Sequence, residues 1–449
     1  MKVLLVSANT LTEPYPVYPL GLEYVAAAIA DSHEFEIADL NTLDGHGPLL
    51  EIIGRFSPEV IGISLRNIDN TDTSNPKGFI DDPRRLIETI RSCTQAPVIL
   101  GGSGFTLFPE EIMNALNADY GIIGEGERLA LLLNALENQK DAAAIPGVIS
   151  RDHPQPVSSP WNGTFQRNFR KTYSHAAFYL KNGGMLNLQT KRGCNLNCIY
   201  CTYPHIEGSV QRLIDPSEVA DTALQLQSAG AHYLFVTDST FNSDCQHTLN
   251  VARAFIKAGV SIPWGAFFMP NQLPEDYFRI LREAGLTHVE FGTESLSNHV
   301  LASYRKPYQD YHVYAAHQSA IDAGLHVAHY LLLGGPGETS DTLEETLSGI
   351  QNLKKAVFFF FCGMRIYPHT ELYDIAVKDG QITPSQSLLE PVFYRSPAIS
   401  GDKIIQRVKD RANGRLNWII GSGGKETAGV VARMYKRGHT GPLWEYLIR

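Results

Sequence analysis

Cysteine is scarce in this 449-residue chain, six in all, and Lys and Arg are outnumbered by Asp and Glu, 38 to 47, for a net charge of −9. The deficit of positive charge argues against nucleic acid as the main partner. Long apolar runs are missing as well. The most apolar stretch, AVFFFFCGM from Ala356, falls far short of the ~20 residues of a membrane-spanning helix. The opening MKVLLVSANTLTEPYP has too short an apolar run for a signal peptide and no small-residue cleavage site behind it, so a cytoplasmic chain with no membrane span is expected. No G-x-G-x-x-G follows the first strand pattern, which speaks against a nicotinamide cofactor. What remains is globular in composition, 43% apolar and 19% charged, and long enough for two or three domains. One local asymmetry runs against the acidity: residues 401–449 hold ten Lys and Arg to four Asp and Glu, for which a solvated surface is the plain reading.

The first half alternates short aliphatic runs with helical patterns. VLLVSA from Val3, FEIADL from Phe35, VIGISL from Val60, PVILGG from Pro97 and YGIIGE from Tyr120 read as strands buried on both faces, with helices such as LGLEYVAAAIAD, DPRRLIETIRS and PEEIMNALN between them. Five such units predict a doubly wound, flavodoxin-like domain over residues 1–150, whose ligand sits at the carboxyl ends of the strands. Glycines gather there. GGSG (Gly101 to Gly104) follows the fourth strand and GEGE (Gly124 to Glu127) the fifth, while Ser64, Arg66 and Asn67 end the third with polar groups. Glycine lets a ligand approach the backbone closely; ordinary tight turns are the alternative. The Pro-, Ser- and Asn-rich residues 151–185 form a linker whose aromatics Trp161, Phe165 and Phe169 are expected to pack against something.

Six further strand patterns follow: LNLQT, HYLFVTD, PWGAFF, HVEFGTES, HVAHYLLLGG and AVFFFFCGMRIYP. Among the helices between them, DPSEVADTALQLQSAG carries Asp215 as N-cap, Pro216 at the first helical position and Gly230 just past the end. Six βα units predict a partial (β/α)6 barrel of the TIM type over residues 186–380, followed by a small, mostly helical region over 381–449. Three of the six cysteines, Cys194, Cys198 and Cys201, stand in a C-x3-C-x2-C spacing after the first barrel strand, on the expected catalytic face. Thiolates hold iron–sulfur clusters, and three of them on a four-iron cubane leave one iron open. A Cys3His zinc site completed by His205 is the alternative, although a functional face is an odd place for a closed structural metal.

The segment CNLNCIYC, with Tyr200 before its last cysteine, resembles the signature of radical S-adenosylmethionine enzymes. YPLGLEYVAAAI, VILGGSGFTLFPEEI and YGIIGEGE resemble the cobalamin-binding domain that precedes the barrel in the cobalamin-dependent branch of that family. VTDSTFN, EFGTES, LLLGGPGET and RIYPHTELYDIA resemble recurrent stations of its barrel, so the resemblance spans nearly the whole chain. It implies a [4Fe–4S] cluster on Cys194, Cys198 and Cys201, whose open iron binds S-adenosyl-L-methionine. It places Tyr200, Asp238, Ser239, Glu294, Gly334 and Gly335 toward that cosubstrate, with Thr240 beside Ser239. Cobalamin is expected over Ser64, Arg66, Gly101, Gly102, Ser103, Gly124, Glu125 and Gly126. The D-x-H-x-x-G motif of many cobalamin proteins is missing after the first strand, and Asp44 and His46 follow the second, so no histidine axial ligand is expected; Arg66 is placed beneath the corrin.

The activity this implies is methyl transfer to an unactivated carbon of a small molecule, through methylcobalamin and a 5′-deoxyadenosyl radical, with flavodoxin or ferredoxin as external electron donor. A non-methylating cobalamin-dependent cyclase or rearrangement enzyme is the alternative, and a cofactor-binding sensor a further one that the full set of cosubstrate-facing motifs opposes. Cys93 and Cys245 are read as bystanders, and AVFFFFCGM, with Cys362, as packed strand rather than substrate cage.

Overall fold

The computed structural model describes residues 1–12, 15–73, 75–156, 163, 167, 169, 175–421 and 424–448. They divide into two compact units. The first comprises Met1–Asn70, Pro76–Lys181 and His205–Gly208, and the second Thr71–Asn75, Asn182–Pro204 and Ser209–Arg449.

In the first unit, β1 (Lys2–Ser7), β2 (Glu34–Asp39), β3 (Val60–Ser64), β4 (Val98–Gly101), β5 (Tyr120–Ile122) and β6 (Val148–Ser150) form one sheet in the order β2-β1-β3-β4-β5-β6. The first five are parallel and β6 runs antiparallel to β5. Val3, Leu4, Leu5 and Val6 of β1 are all buried because helices cover both faces of the sheet. Each such aliphatic side chain contributes roughly 1.5–3 kcal/mol by leaving water. Leu22, Ala26 and Ile29 of the helix Leu20–Ile29 and Leu129, Leu132 and Leu133 of Leu129–Glu137 join Val3 and Leu5 in one core. Strand order reverses at β1, and the crevice where doubly wound sheets bind ligands lies at such a reversal. Of the linker aromatics, Trp161 and Phe165 lie outside the described residues, whereas Phe169 is buried with its ring 6.2 Å from that of Tyr18. The helix Ala176–Asn182 that follows anchors to β2, the Tyr179 hydroxyl donating to Asp39 Oδ2 at 2.6 Å.

The second unit is built on a seven-stranded, wholly parallel sheet. Its strands are β7 (Met185–Leu188), β10 (Tyr233–Val236), β11 (Trp264–Phe268), β12 (Leu286–Glu294), β13 (His326–Leu333), β14 (Ala356–Cys362) and β17 (Trp418–Ile420), in the order β17-β14-β13-β12-β11-β10-β7. Two small hairpins complete it: β8 (Lys191–Arg192) with β9 (Arg212–Leu213), which brackets the cysteine segment, and β15 (Met364–Arg365) with β16 (Phe393–Tyr394). The six βα strands stand where the apolar runs predict. The C-terminal region is mostly helical, with Gly401–Ala412 and Gly424–Lys436, but it adds β17 to the open edge at β14. Asp215 caps the helix Pro216–Ser228 by accepting from Ser217 N, and Gly230 takes φ +95° just beyond its end. Among the described residues no helix is long and apolar enough to cross a membrane.

Candidate functional site

The cysteine segment leaves β8 through Gly193 at φ +88° and is fixed from both sides by backbone bonds: Ile199 N donates to Tyr304 O at 3.4 Å, Leu372 N to Ile199 O at 2.8 Å, and Cys201 N to Cys198 O at 3.1 Å. Cys194 is buried, and Cys198 and Cys201 are half-buried. Burial raises both of the latter thiols, Cys201 to about 12, and the neighbouring cysteines add to the shift, so the three sulfurs share one field. His205 is exposed on the short helix Tyr203–Ile206. Three thiols gathered in a segment fixed from both sides offer the thiolate donors an iron–sulfur cluster needs.

Beside them lies a buried polar network. The Tyr200 hydroxyl donates to Glu294 Oε1 at 2.7 Å, and Lys306 Nζ reaches the same oxygen at 3.0 Å while standing 5.1 Å above the Tyr200 ring. Glu294 ends β12 at φ +60°, beyond a register shift between Gly292 and Glu294. A left-handed glutamate is strained, and such strain concentrates where a side chain must be aimed. Burial opposes the charge on Lys306, but Glu294, Tyr200 and Tyr308 outweigh it and hold the ammonium well above its ordinary pKa. Lys306 also bonds to Cys198 and draws that thiol down against the effect of burial.

Asp238 follows β10 as a buried carboxylate. It is sealed in the interior, with Oδ1 accepting from Thr190 N at 2.8 Å and Oδ2 from Thr190 Oγ1 at 2.5 Å and Lys191 Nζ at 3.0 Å. Its carboxylate is paired with Lys191 in an internal ion pair. Ser239 is half-buried against the start of the cysteine segment, its Oγ 3.4 Å from Gly193 O, and the neighbouring Thr240 hydroxyl donates to Ser239 O. The N–H groups of Gly334 and Gly335 donate to Glu338 Oε2 and the Tyr304 hydroxyl, at 3.3 and 3.2 Å. A Cβ on Gly335 would meet Tyr304 Oη at 2.6 Å and Met364 Sδ at 2.7 Å, so glycine serves close packing here, and Thr339 caps the helix Ser340–Gly349.

The cobalamin candidates gather at the strand ends of the first unit. Ser64 pairs with Gly101 and with Ser7, which levels the ends of β1, β3 and β4. Gly102 takes φ +101°, and a Cβ there would meet Leu65 O at 2.6 Å; one on Gly126 would meet Val25 Cγ2 at 2.6 Å. Ser103 Oγ donates to Arg66 O at 3.1 Å, and Arg66 Nε donates to Asn67 Oδ1 at 3.1 Å. Thr106, which sequence reasoning missed, ties the two glycine turns together: its hydroxyl donates to Gly102 O at 3.0 Å and accepts from Gly124 N at 2.9 Å. Glu125 is buried beside Gly124, which takes φ +75°. His46 stands at the start of the helix Gly47–Phe56, Nδ1 3.1 Å from Thr89 Oγ1. At Gly102 and Gly126 glycine serves close packing against Leu65 and Val25, and the positive φ of Gly102 and Gly124 shapes the turns at the strand ends.

The barrel interior holds what the sequence concealed. The phenylalanines of β14 alternate: Phe358 and Phe360 are buried outward, with Trp418 against both, while Phe359 and Phe361 stack on Tyr330 at 4.8 and 6.2 Å. Phe267 bridges Tyr330 and Phe235 at 5.7 and 5.2 Å. AVFFFFCGM thus packs as a strand on both faces, against Trp418 on one and Tyr330 on the other. One acid joins these aromatics. Glu290 accepts from the Tyr330 hydroxyl at 2.7 Å and Trp444 Nε1 at 3.0 Å, and burial pushes its carboxyl up to about 6. Cys362 ends β14, with its carbonyl accepting from Thr73 Oγ1 at 2.5 Å. Cys93 and Cys245 touch only local carbonyls, those of Ile90 and Asn242.

Comparison with known proteins adds to this geometry. Residues 188–349 match the radical SAM superfamily, and residues 6–133 match the B12 binding domain. The chain is 23% identical to tryptophan 2-C-methyltransferase of Streptomyces laurentii, over 82% of this chain and 73% of that one. It is 24% identical to cytidylyl-2-hydroxyethylphosphonate methyltransferase of Streptomyces wedmorensis, over 87% and 84%. Among solved structures, the radical S-adenosylmethionine methyltransferase TsrM of Kitasatospora setae, with tryptophan and a SAM analogue bound, has the same fold at a TM-score of 0.87 and 22% identity, covering 99% of this chain and 97% of that one.

Proposed function

We propose that this chain, a radical SAM protein with a B12 binding domain ahead of its barrel, is a cobalamin-dependent methyltransferase acting on an unactivated carbon of a small molecule. The observation that carries the reading is the three-cysteine segment beside Glu294 and Lys306, in a chain whose other sheet ends in a glycine cradle. Cys194, Cys198 and Cys201 would hold the [4Fe–4S] cluster, and Ser64, Gly101, Gly102, Ser103, Gly124, Glu125 and Gly126 would meet cobalamin, with Arg66 near its lower face. When bound, the cluster supplies the electron that cleaves the sulfonium of S-adenosyl-L-methionine, and cobalamin supplies a carrier for its methyl group.

The residues of the chain bind and orient. Tyr200 and Lys306 both donate to Oε1 of Glu294, which leaves Oε2 to accept from the amino or hydroxyl groups of the cosubstrate. Lys306 also favours the thiolate forms of Cys198 and Cys201 against the effect of burial. Ser239 stands at the entrance to the cysteine segment. Phe267, Tyr330, Phe359 and Phe361 offer an apolar, aromatic lining that suits a substrate with a flat or hydrophobic body. A cytoplasmic setting and a flavodoxin- or ferredoxin-type donor go with this chemistry, since a reduced cluster needs both electrons and protection from oxidants.

The test is product analysis after anaerobic reconstitution with iron, sulfide, cobalamin and a reductant. S-adenosylhomocysteine and 5′-deoxyadenosine formed together support radical methyl transfer. Deoxyadenosine alone points to a cyclase or rearrangement enzyme, and neither product would leave a sensor.

A further inference from the structure

Three metal-ligating side chains converge at the far end of the barrel, where the strands begin. The parallel register of β12 and β13 sets His288 directly beside His326, and the turn Leu443–Leu447 lays Glu445 over both. His288 Nε2 and His326 Nδ1 stand 3.1 and 2.7 Å from Glu445 Oε2, and 3.3 Å from each other. Zinc takes nitrogen and oxygen ligands at ~2.0–2.2 Å, which puts tetrahedral neighbours about 3.3 Å apart. These three atoms need to part by only a few tenths of an ångström to admit such an ion.

The surroundings are built to aim them. Gly265 pairs with His288 on the other side, and a Cβ there would meet the Tyr233 hydroxyl at 2.2 Å. Without one, that hydroxyl reaches His288 Nδ1 at 3.0 Å, and Thr287 Oγ1 stands 2.9 Å from the same nitrogen. A partner on the far ring nitrogen fixes the tautomer and turns Nε2 toward a metal. The ring of Trp444, 5.1 Å from that of His288, closes the inner side, while His326 is half-exposed and leaves an approach from solvent.

We propose that His288, His326 and Glu445 form a binding site for a zinc-class divalent cation, with solvent in the fourth place, that staples the C-terminal segment across the N-terminal mouth of the barrel. This site is separate from the cysteines and independent of the methyltransferase reading. To test it, the anaerobic holoenzyme, its cysteines occupied by the cluster, is incubated with zinc and desalted. Its zinc and iron contents and thermal transition are then measured. The expected result is stoichiometric zinc and a raised melting temperature in the wild type. His326→Ala and Glu445→Gln should lose both while keeping wild-type iron content and circular dichroism. Cobalt(II) in place of zinc should give ligand-field bands with no thiolate charge-transfer band. Wild-type protein that takes up no zinc, variants that retain it in full, or a cobalt–thiolate band would each overturn the assignment.

Discussion

Lys191 and Asp238 form an ion pair sealed inside the barrel, Nζ 3.0 Å from Oδ2, with side chains 1% and 0% exposed. Lys191 also donates to Phe241 O at 2.5 Å and lies over the Phe241 ring, so its ammonium ties the start of the cysteine segment to the chain that follows β10. Desolvating two charges is costly, and removing one partner leaves the other stranded.

Asp238→Asn is therefore expected to destabilise the protein by ~3–5 kcal/mol, the range for breaking a buried pair. The measurement is chemical denaturation, paired with the affinity of the surviving folded fraction for S-adenosyl-L-methionine. Unchanged affinity with lowered stability fits an internal pair. A weakened affinity at full stability would return Asp238 to the binding surface.

The pair also marks the limit of what the sequence conveys. Apolar runs such as VLLVSA and HVAHYLLL reveal parallel strands because both of their faces are covered, and C-x3-C-x2-C is legible because its ligands are local. The partners that set the polar groups are not local. Lys191 and Asp238 are separated by 47 residues, Tyr200 and Glu294 by 94, and Trp444 and Glu290 by 154. No periodicity encodes which strand-end polar group meets which. Asp238 and the Gly334–Gly335 pair stand at the expected strand ends, and the partners they meet there, Thr190, Glu338 and Tyr304, are not written in the local pattern. The strand β17 escaped notice because NWII offers only three apolar residues between a basic helix and a glycine turn. The alternation hidden in FFFF became visible only when β14 was placed between β13 and β17.

Glu290 gives the lumen a pH dependence. Its carboxyl is pushed from 4.5 to about 6 by burial, partly offset by Tyr330 and Trp444. A carboxyl whose folded pKa is raised costs nothing while both states are protonated, below about 4.5, and progressively lowers stability as pH rises through about 6. Glu290→Gln removes that loss. Its stability relative to wild type should climb by about 2 kcal/mol between those limits and then level off. Denaturant midpoints at a series of pH values check this, and a difference that does not vary with pH would refute it.

Gly102 tests the cobalamin cradle without touching the barrel. Alanine there is strained at φ +101° and its Cβ would press on Leu65 O at 2.6 Å, a penalty of roughly 1–3 kcal/mol. Gly102→Ala should lower the cobalamin retained after reconstitution, read from its visible absorption, while the iron content stays at the wild-type level. Full cobalamin retention would remove Gly102 from the cradle.

The most direct test is low-temperature electron paramagnetic resonance of the anaerobically reconstituted, reduced protein, before and after addition of S-adenosyl-L-methionine. The account predicts a reduced [4Fe–4S] signal that shifts when the cosubstrate binds and disappears when Cys194, Cys198 and Cys201 are replaced together by alanine. A wild-type protein without that signal, or a triple variant that keeps it, would contradict the assignment.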